Sequence, residues 1–292
     1  MLNPIPLLYK DRRLEGETTL RQCQLVQLHL LYVFDAICKE YNLTYFLGGG
    51  TLLGAMRHGG FIPWDDDLDV GMPLKDYKKF LKIASNALPK DVILQTPKTN
   101  PNTAIPFSKL RDVYSFYYEM RPDIATSDFA GIYLDVIPYE EIPEMPQRLR
   151  NLFVKIIASS WMRNVYFKHW GLNSGLRAIV GAFLRLALSC IYTITRGFLK
   201  CLSLLLPCKT TLIQLENGML FTVATKYMYP TKLMRFEDGD FPVPNTPEAF
   251  LESQYGNWRE ILPPEKRPRH AKIILPTISQ DLPRALSYPT ND

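Results

Sequence analysis

The sequence predicts an α/β or α+β sheet fold with a helical second part. Three observations predict it. Short apolar or alternating runs suited to strands recur at 44–47, 64–70, 92–95, 108–119 and 132–137. Segments of helical period at 17–41 and 75–88 separate them, and such alternation marks a layered sheet-and-helix domain. Residues 147–206 then read as helices.

In order along the chain, Leu20, Leu28, Leu31, Phe34 and Ile37 recur near helical spacing in the first helix, and Asn42 closes it. Thr44 to Leu47 is a short apolar strand, Gly48-Gly49-Gly50 a turn, and Thr51 to Met56 the start of a short helix. Gly59-Gly60 and Pro63 mark a loop before the strand at 64–70. Tyr77, Phe80, Leu81 and Ala84 line one face of the helix at 75–88. Pro97, Pro101 and Pro106 make an irregular loop, and Pro138 to Pro146 is a break. The expected divisions are a core over 1–146, a helical insertion over 147–210, and a C-terminal part over 211–292 that is rich in proline and loops from Glu237 on.

Composition narrows the class. The chain has 292 residues, 47% hydrophobic and 22% charged, close to globular averages, which excludes a disordered, collagen-like or disulfide-miniprotein chain. The 34 Lys and Arg against 29 Asp and Glu give +5. That mild excess suits an anionic ligand or membrane surface and does not call for nucleic acid. Cys23, Cys38, Cys190, Cys201 and Cys208 show no CxxC spacing and are odd in number, so free buried thiols are expected rather than a disulfide framework or zinc site. The opening MLNPIPLLYKDRR lacks the pattern of a secretory signal. A cytoplasmic location, at most peripheral at the inner face of a membrane, is the expectation.

The sharpest feature is Trp64-Asp65-Asp66-Asp67-Leu68-Asp69-Val70. Extended backbone alternates faces, so Asp65, Asp67 and Asp69 share one side while Asp66, Leu68 and Val70 share the other. Three carboxylates on one face repel unless cations neutralise them, and an all-oxygen set suits Mg²⁺ or Mn²⁺. A calcium EF-hand fails, because positions 6 and 12 counted from Asp65 are Val70 and Asp76. Asp135 is a lone acid in an apolar strand and needs a partner or a metal. If its strand lies beside the first, a metal–carboxylate site able to clamp a phosphoryl transfer results. Upstream, Gly48-Gly49-Gly50-Thr51 runs from strand to helix, a geometry that can hold a phosphate on unpaired N–H groups with a hydroxyl from Thr51. Neither GxGxxG nor a P-loop is present.

A glycine turn opening a helix, then a D-x-D segment, then an acid on a later strand resembles the nucleotidyltransferase superfamily, whose fold is a polymerase-β-like mixed sheet flanked by helices. The string GGGTLLGAMRHGGFIPWDDDLDVGMPLKDYKKF at 48–80 resembles the LicD family, as do FSKLRD at 107–112, GIYLDVIP at 131–138 and YGNWREILPPEKRPRH at 255–270. Fukutin-like glycan phosphotransferases share the WDxDxD block. The resemblance implies transfer of phosphocholine or another alcohol phosphate from a CDP-linked donor, CDP-choline first among them, to a glycan hydroxyl. It implies that Asp67 and Asp69 ligate the metal, that Asp65 supports them, and that Asp135 is the third carboxylate and candidate base. Gly49, Gly50 and Thr51 match the turn that holds the donor phosphates.

Arg57 and His58 follow the turn closely, and Lys109 with Arg111 alternate on one strand face and could reach phosphate oxygens. Arg267-Pro268-Arg269-His270 is a basic loop that could fold over the donor, with His270 assigned no role. A choline group would need an aromatic or acidic pocket, for which Tyr114, Phe116, Tyr117, Tyr118 and Trp258 are available. Two other readings remain open: nucleotidyl transfer from an NTP on the same carboxylates, and a non-catalytic glycan- or membrane-binding protein.

Residues 172–206 are strongly apolar but interrupted by Arg177, Arg185, Arg196 and Lys200, and the longest uncharged run is too short for a membrane span. At 100° per residue these cations fall at about 0°, 80°, 100° and 140°, on one side of a helix. The segment is a basic amphipathic helix with Gly181 or Gly197 as places to break. It either packs on a core with a solvated stripe or lies on an anionic membrane face.

Overall fold

The computed structural model describes residues 10–100, 105–119, 130–170, 175–214 and 220–278. The first nine residues, Pro101, residues 172–174 and the Arg177 side chain lie outside that description. Two compact units form, one from Met1–Pro138 with Tyr227–Asp292 and the other from Tyr139–Lys226. The α+β class expected from the sequence is what forms.

The first unit opens with α1, Thr19–Glu40, where the Thr18 side chain accepts from the Arg21 N–H, an N-cap the sequence supplies directly. Asn42, at φ 51, closes it as expected. Then come β1 (Phe46–Leu47), α2 (Gly49–His58), β2 (Asp69–Pro73), α3 (Leu74–Ala87), β3 (Val92–Gln95), β4 (Ser108–Asp112), β5 (Phe116–Glu119) and β6 (Tyr133–Ile142). The sheet of this unit runs β1-β2-β6-β4-β3. The core at the α1–α3 side is aromatic: Phe34 meets Tyr45 and Phe80 edge-on at 5.0 and 5.1 Å.

The second unit contains α4 (Gln147–Trp170), α5 (Gly175–Leu202), β7 (Thr210–Gln214) and β8 (Leu220–Ala224). Tyr139–Ile142 of β6 pair with β7, and β7 with β8. Ile142, Ile157, Leu199 and Leu212 form its core. The chain then returns to the first unit with β9 (Lys232–Phe236), β10 (Gly239–Val243), α6 (Pro247–Tyr255) and β11 (Ala271–Leu275). β9 pairs with β10, and β11 with β5.

Five expectations are corrected. The strand expected at 64–70 starts only at Asp69, because the backbone of 62–66 is occupied by a turn and by side chains from α1. The strand expected at 108–119 is two, since the Tyr114 N–H turns back to the Asp112 carboxylate and β5 leaves for a ladder with β11. The strand expected at 132–137 extends to Ile142 because β7 supplies partners. Among the described residues the C-terminal part is not mainly loop: β9 and β10 form a hairpin around Glu237, at φ 55, and α6 and β11 follow. Finally, α5 passes unbroken through Gly181 and Gly197. A helical glycine costs about 1 kcal/mol, too little to break a helix of this length.

Candidate active site

The acid segment is fixed by polar groups that α1 buries among its apolar residues. Gln24 donates to the Ile62 and Asp65 carbonyls at 3.3 and 3.0 Å, and Gln27 to the Asp66 carbonyl at 2.7 Å. Both glutamines are almost fully buried. Replacing Gln27 by Ala leaves the Asp66 carbonyl without that donor, and a loss of about 1–2 kcal/mol is expected in denaturant unfolding.

Alternation of faces survives although no strand forms. Asp66 turns toward the start of β11 and accepts from the His270 N–H at 3.2 Å, the Ala271 N–H at 2.9 Å and His270 Nδ1 at 2.9 Å. It thereby pins the start of β11. On the opposite side, Asp65, Asp67 and Asp69 line one cavity of about 360 Å³ together with Gly50, Arg57, Trp64, Tyr255, Trp258 and His270. The glycine turn explains how they fit. Gly49 sits at φ +46, and a Cβ there would collide with Asp69 Oδ2; a Cβ on Gly50 would lie 2.8 Å from Asp65 Oδ2. The two carboxylates therefore rest against the N-terminus of α2, whose partial positive charge favours them. Thr51 is buried, and its hydroxyl accepts from the Asp69 N–H at 2.8 Å. Its role as placed is to position Asp69. Gly50 and Arg57 reach the cavity, and Arg57 also donates to the Glu260 carbonyl at 2.6 Å.

Asp135 comes beside the acid segment because β6 is the neighbour of β2, with its N–H donating to the Leu68 carbonyl at 2.8 Å. Lys109 Nζ lies 3.0 and 3.2 Å from its two oxygens, and also 3.4 Å over the Tyr133 ring and 3.5 Å from Glu119. Arg111 spends its donors on Gln95, the Gly131 carbonyl and Glu119. Both cations are buried and outside the cavity lining. The structure thus gives Lys109 and Arg111 to the carboxylates and the sheet, where the sequence reading aimed them at donor phosphates.

The electrostatics call for added positive charge. Burial, then the charge of Asp67, pushes the Asp65 carboxyl up to about 8. Burial and the charges of Asp67 and Asp135 hold Asp69 well above its ordinary value. Burial raises Asp135 to about 6 even though Lys109 pulls it back. Asp135 Oδ1 is buried, with the Lys109 ammonium 3.0 Å away as its ion-pair partner. Buried acids that repel one another around one cavity are the donor set a hard divalent cation would take, so the oxygens of Asp65, Asp67 and Asp69 fit Mg²⁺ or Mn²⁺. Among the described residues, the set whose donor atoms all lie within 4.8 Å of one another is Asp65, Asp66 and His270. The sequence reading did not select the last two.

His270 is raised to about 9 by its hydrogen bond to Asp66, against the effect of burial and with help from Asp67. Because its folded value lies above 6.5, the pair stabilises the fold fully below that pH, and the contribution is lost as pH rises through about 9. Chelator-treated protein is therefore expected to lose stability between those values, and His270→Gln to flatten that dependence in unfolding curves.

Residues 42–148 match the family described as LicD/FKTN/FKRP, nucleotidyltransferase domain. The chain is 35% identical over 146 residues to lipopolysaccharide cholinephosphotransferase LicD of Haemophilus influenzae, covering 47% of this chain and 50% of that protein. It is 62% identical over 40 residues to the ribitol 5-phosphate transferase FKRP of Homo sapiens, covering 14% of this chain and 8% of that protein. The chain thus spans half or less of the length of these relatives. The LicD and fukutin-like resemblance read from the sequence is borne out.

Proposed function

From a chain that carries a LicD-type domain over residues 42–148, we propose a metal-dependent phosphotransferase. It moves an alcohol phosphate, phosphocholine first among candidates, from a CDP-linked donor to a glycan hydroxyl. The observation that carries this reading is the convergence of Asp65, Asp67 and Asp69 on one cavity, with Asp135 paired to Lys109 beside them. The activities for which both relatives are named, transfer of cholinephosphate and of ribitol 5-phosphate, support it.

In this reading Asp67 and Asp69 hold the metal, with Asp65 and Asp135 in support. When bound, the metal neutralises the donor diphosphate and the charge developing in transfer. Gly50 lines the cavity beside Asp65, where a metal-bound donor phosphate would approach, and Arg57 adds a cation at the rim. Asp135, ionised above about pH 6, accepts the proton of the attacking hydroxyl. The hydroxyl oxygen bonds to the phosphorus bearing the alcohol, the bond to the bridging oxygen breaks, and CMP leaves. Trp64 and Trp258 line the cavity and already hold guanidinium groups over their rings, Arg267 at 3.7 Å and Arg259 at 4.4 Å, the kind of contact a quaternary ammonium would make.

Nucleotidyl transfer from an NTP is the second reading, favoured by the description of the matched domain. Incubation with lipopolysaccharide and Mg²⁺ separates the two. CMP and a phosphocholine-bearing product from CDP-choline support phosphotransfer. Pyrophosphate from CTP, with no CMP from CDP-choline, overturns it.

A further inference from the structure

The positive charge of the chain is concentrated in the second unit. Residues 139–226 hold eleven Lys and Arg against four Asp and Glu, a net of +7, while the remainder holds 23 against 25, a net of −2. Across α4 and α5 there are nine cations and no acid. Along α5 the outward face repeats at helical spacings of three, four and seven: Ile179, Phe183, Leu186, Cys190, Ile194 and Cys201, none of them charged. Ile179, Phe183, Leu186 and Ile194 are 68%, 71%, 64% and 70% exposed, and the face continues into exposed Leu204 and Leu205. The opposite side packs on α4 and carries Arg185 and Arg196, the latter paired with Glu140. Core packing, one of the two readings of this segment, accounts for that side only.

We propose that the outward face of α5 lies in the plane of an anionic lipid surface, its apolar side chains in the headgroup–acyl boundary. The occupant follows from charge and from one-sidedness. A helix pair rich in cations and without acids is complementary to anionic headgroups, and with the inward apolar side of α5 already packed, at Leu199 and Tyr192, the exposed apolar face is the one left to embed. Ile179–Leu202 is long and apolar enough, by length and composition, to cross a bilayer. A crossing helix, however, would carry Arg185 and Arg196 into hydrocarbon about 9 Å from either end.

The test is flotation of the full chain with vesicles of equimolar phosphatidylglycerol and phosphatidylcholine, against vesicles of phosphatidylcholine alone. Binding is expected on the anionic vesicles and on the order of tenfold or more weaker on the neutral ones. Phe183→Glu and Ile194→Glu, both at exposed positions, are expected to abolish flotation while melting temperature and CMP release stay unchanged. An environment-sensitive dye on exposed Cys190 is expected to shift to the blue only with anionic vesicles. No flotation with either vesicle overturns the proposal. So does a wild-type dimer in solution that Ile194→Glu converts to monomer, which would make a second copy the occupant. Alkali-resistant membrane insertion in cells overturns the in-plane placement.

Discussion

Asp67→Asn and Asp69→Asn are each expected to lower turnover by at least about 10³-fold, the equivalent of roughly 4 kcal/mol of transition-state stabilisation. Both carboxylates line the cavity, and Asp69 sits against Gly49 at the N-terminus of α2. Removing one charge from a set whose members raise one another also relieves repulsion. The variants are therefore expected to melt at or above the wild-type temperature. Loss of rate with retained or raised stability separates this role from a structural one; wild-type rates in both variants would end the assignment.

Gly49→Ala is the second large effect. The residue sits at φ +46, where a side chain costs about 1–2 kcal/mol, and its Cβ would drive into Asp69 Oδ2. Displacement of Asp69 by about 1 Å is expected to cost on the order of 10² in rate. Gly59→Ala is the control. It has a similar backbone, φ +66, but open space around its Cβ. It is expected to share the loss of stability and keep the activity. Equal activity in the two variants would show that the close approach at Gly49 is not what the site needs.

Much of this site was legible because its signals are local. Period-two alternation separates Asp66, which accepts from the Ala271 N–H, from Asp65, Asp67 and Asp69, which line the cavity, although 64–68 is not a strand. The condition placed on Asp135, that its strand neighbour the acid segment, is met through β2 and β6. The glycines were readable as a special turn, but their purpose was not. A phosphate cradle and a berth for carboxylates need the same absence of a Cβ, and only the position of Asp69 decides which is served.

Long-range partners were the illegible part. His270 lies 204 positions from Asp66, and nothing in the RPRH loop announces that contact. Lys109 and Arg111 share a face as expected, yet which way that face looks is set by Tyr133 and Glu119 on other strands. Gln24 and Gln27 did carry a readable sign. Three residues apart, they sit among the buried Cys23, Val26 and Leu28 of α1, where a polar group must find a partner.

Manganese titration followed by electron paramagnetic resonance tests the carboxylate centre without reference to donor or acceptor. Wild-type protein is expected to deplete the free-ion signal and to lose that capacity in Asp67→Asn and Asp69→Asn. An undiminished free-ion signal with wild-type protein, or equal binding by all three proteins, would contradict a metal held by these acids.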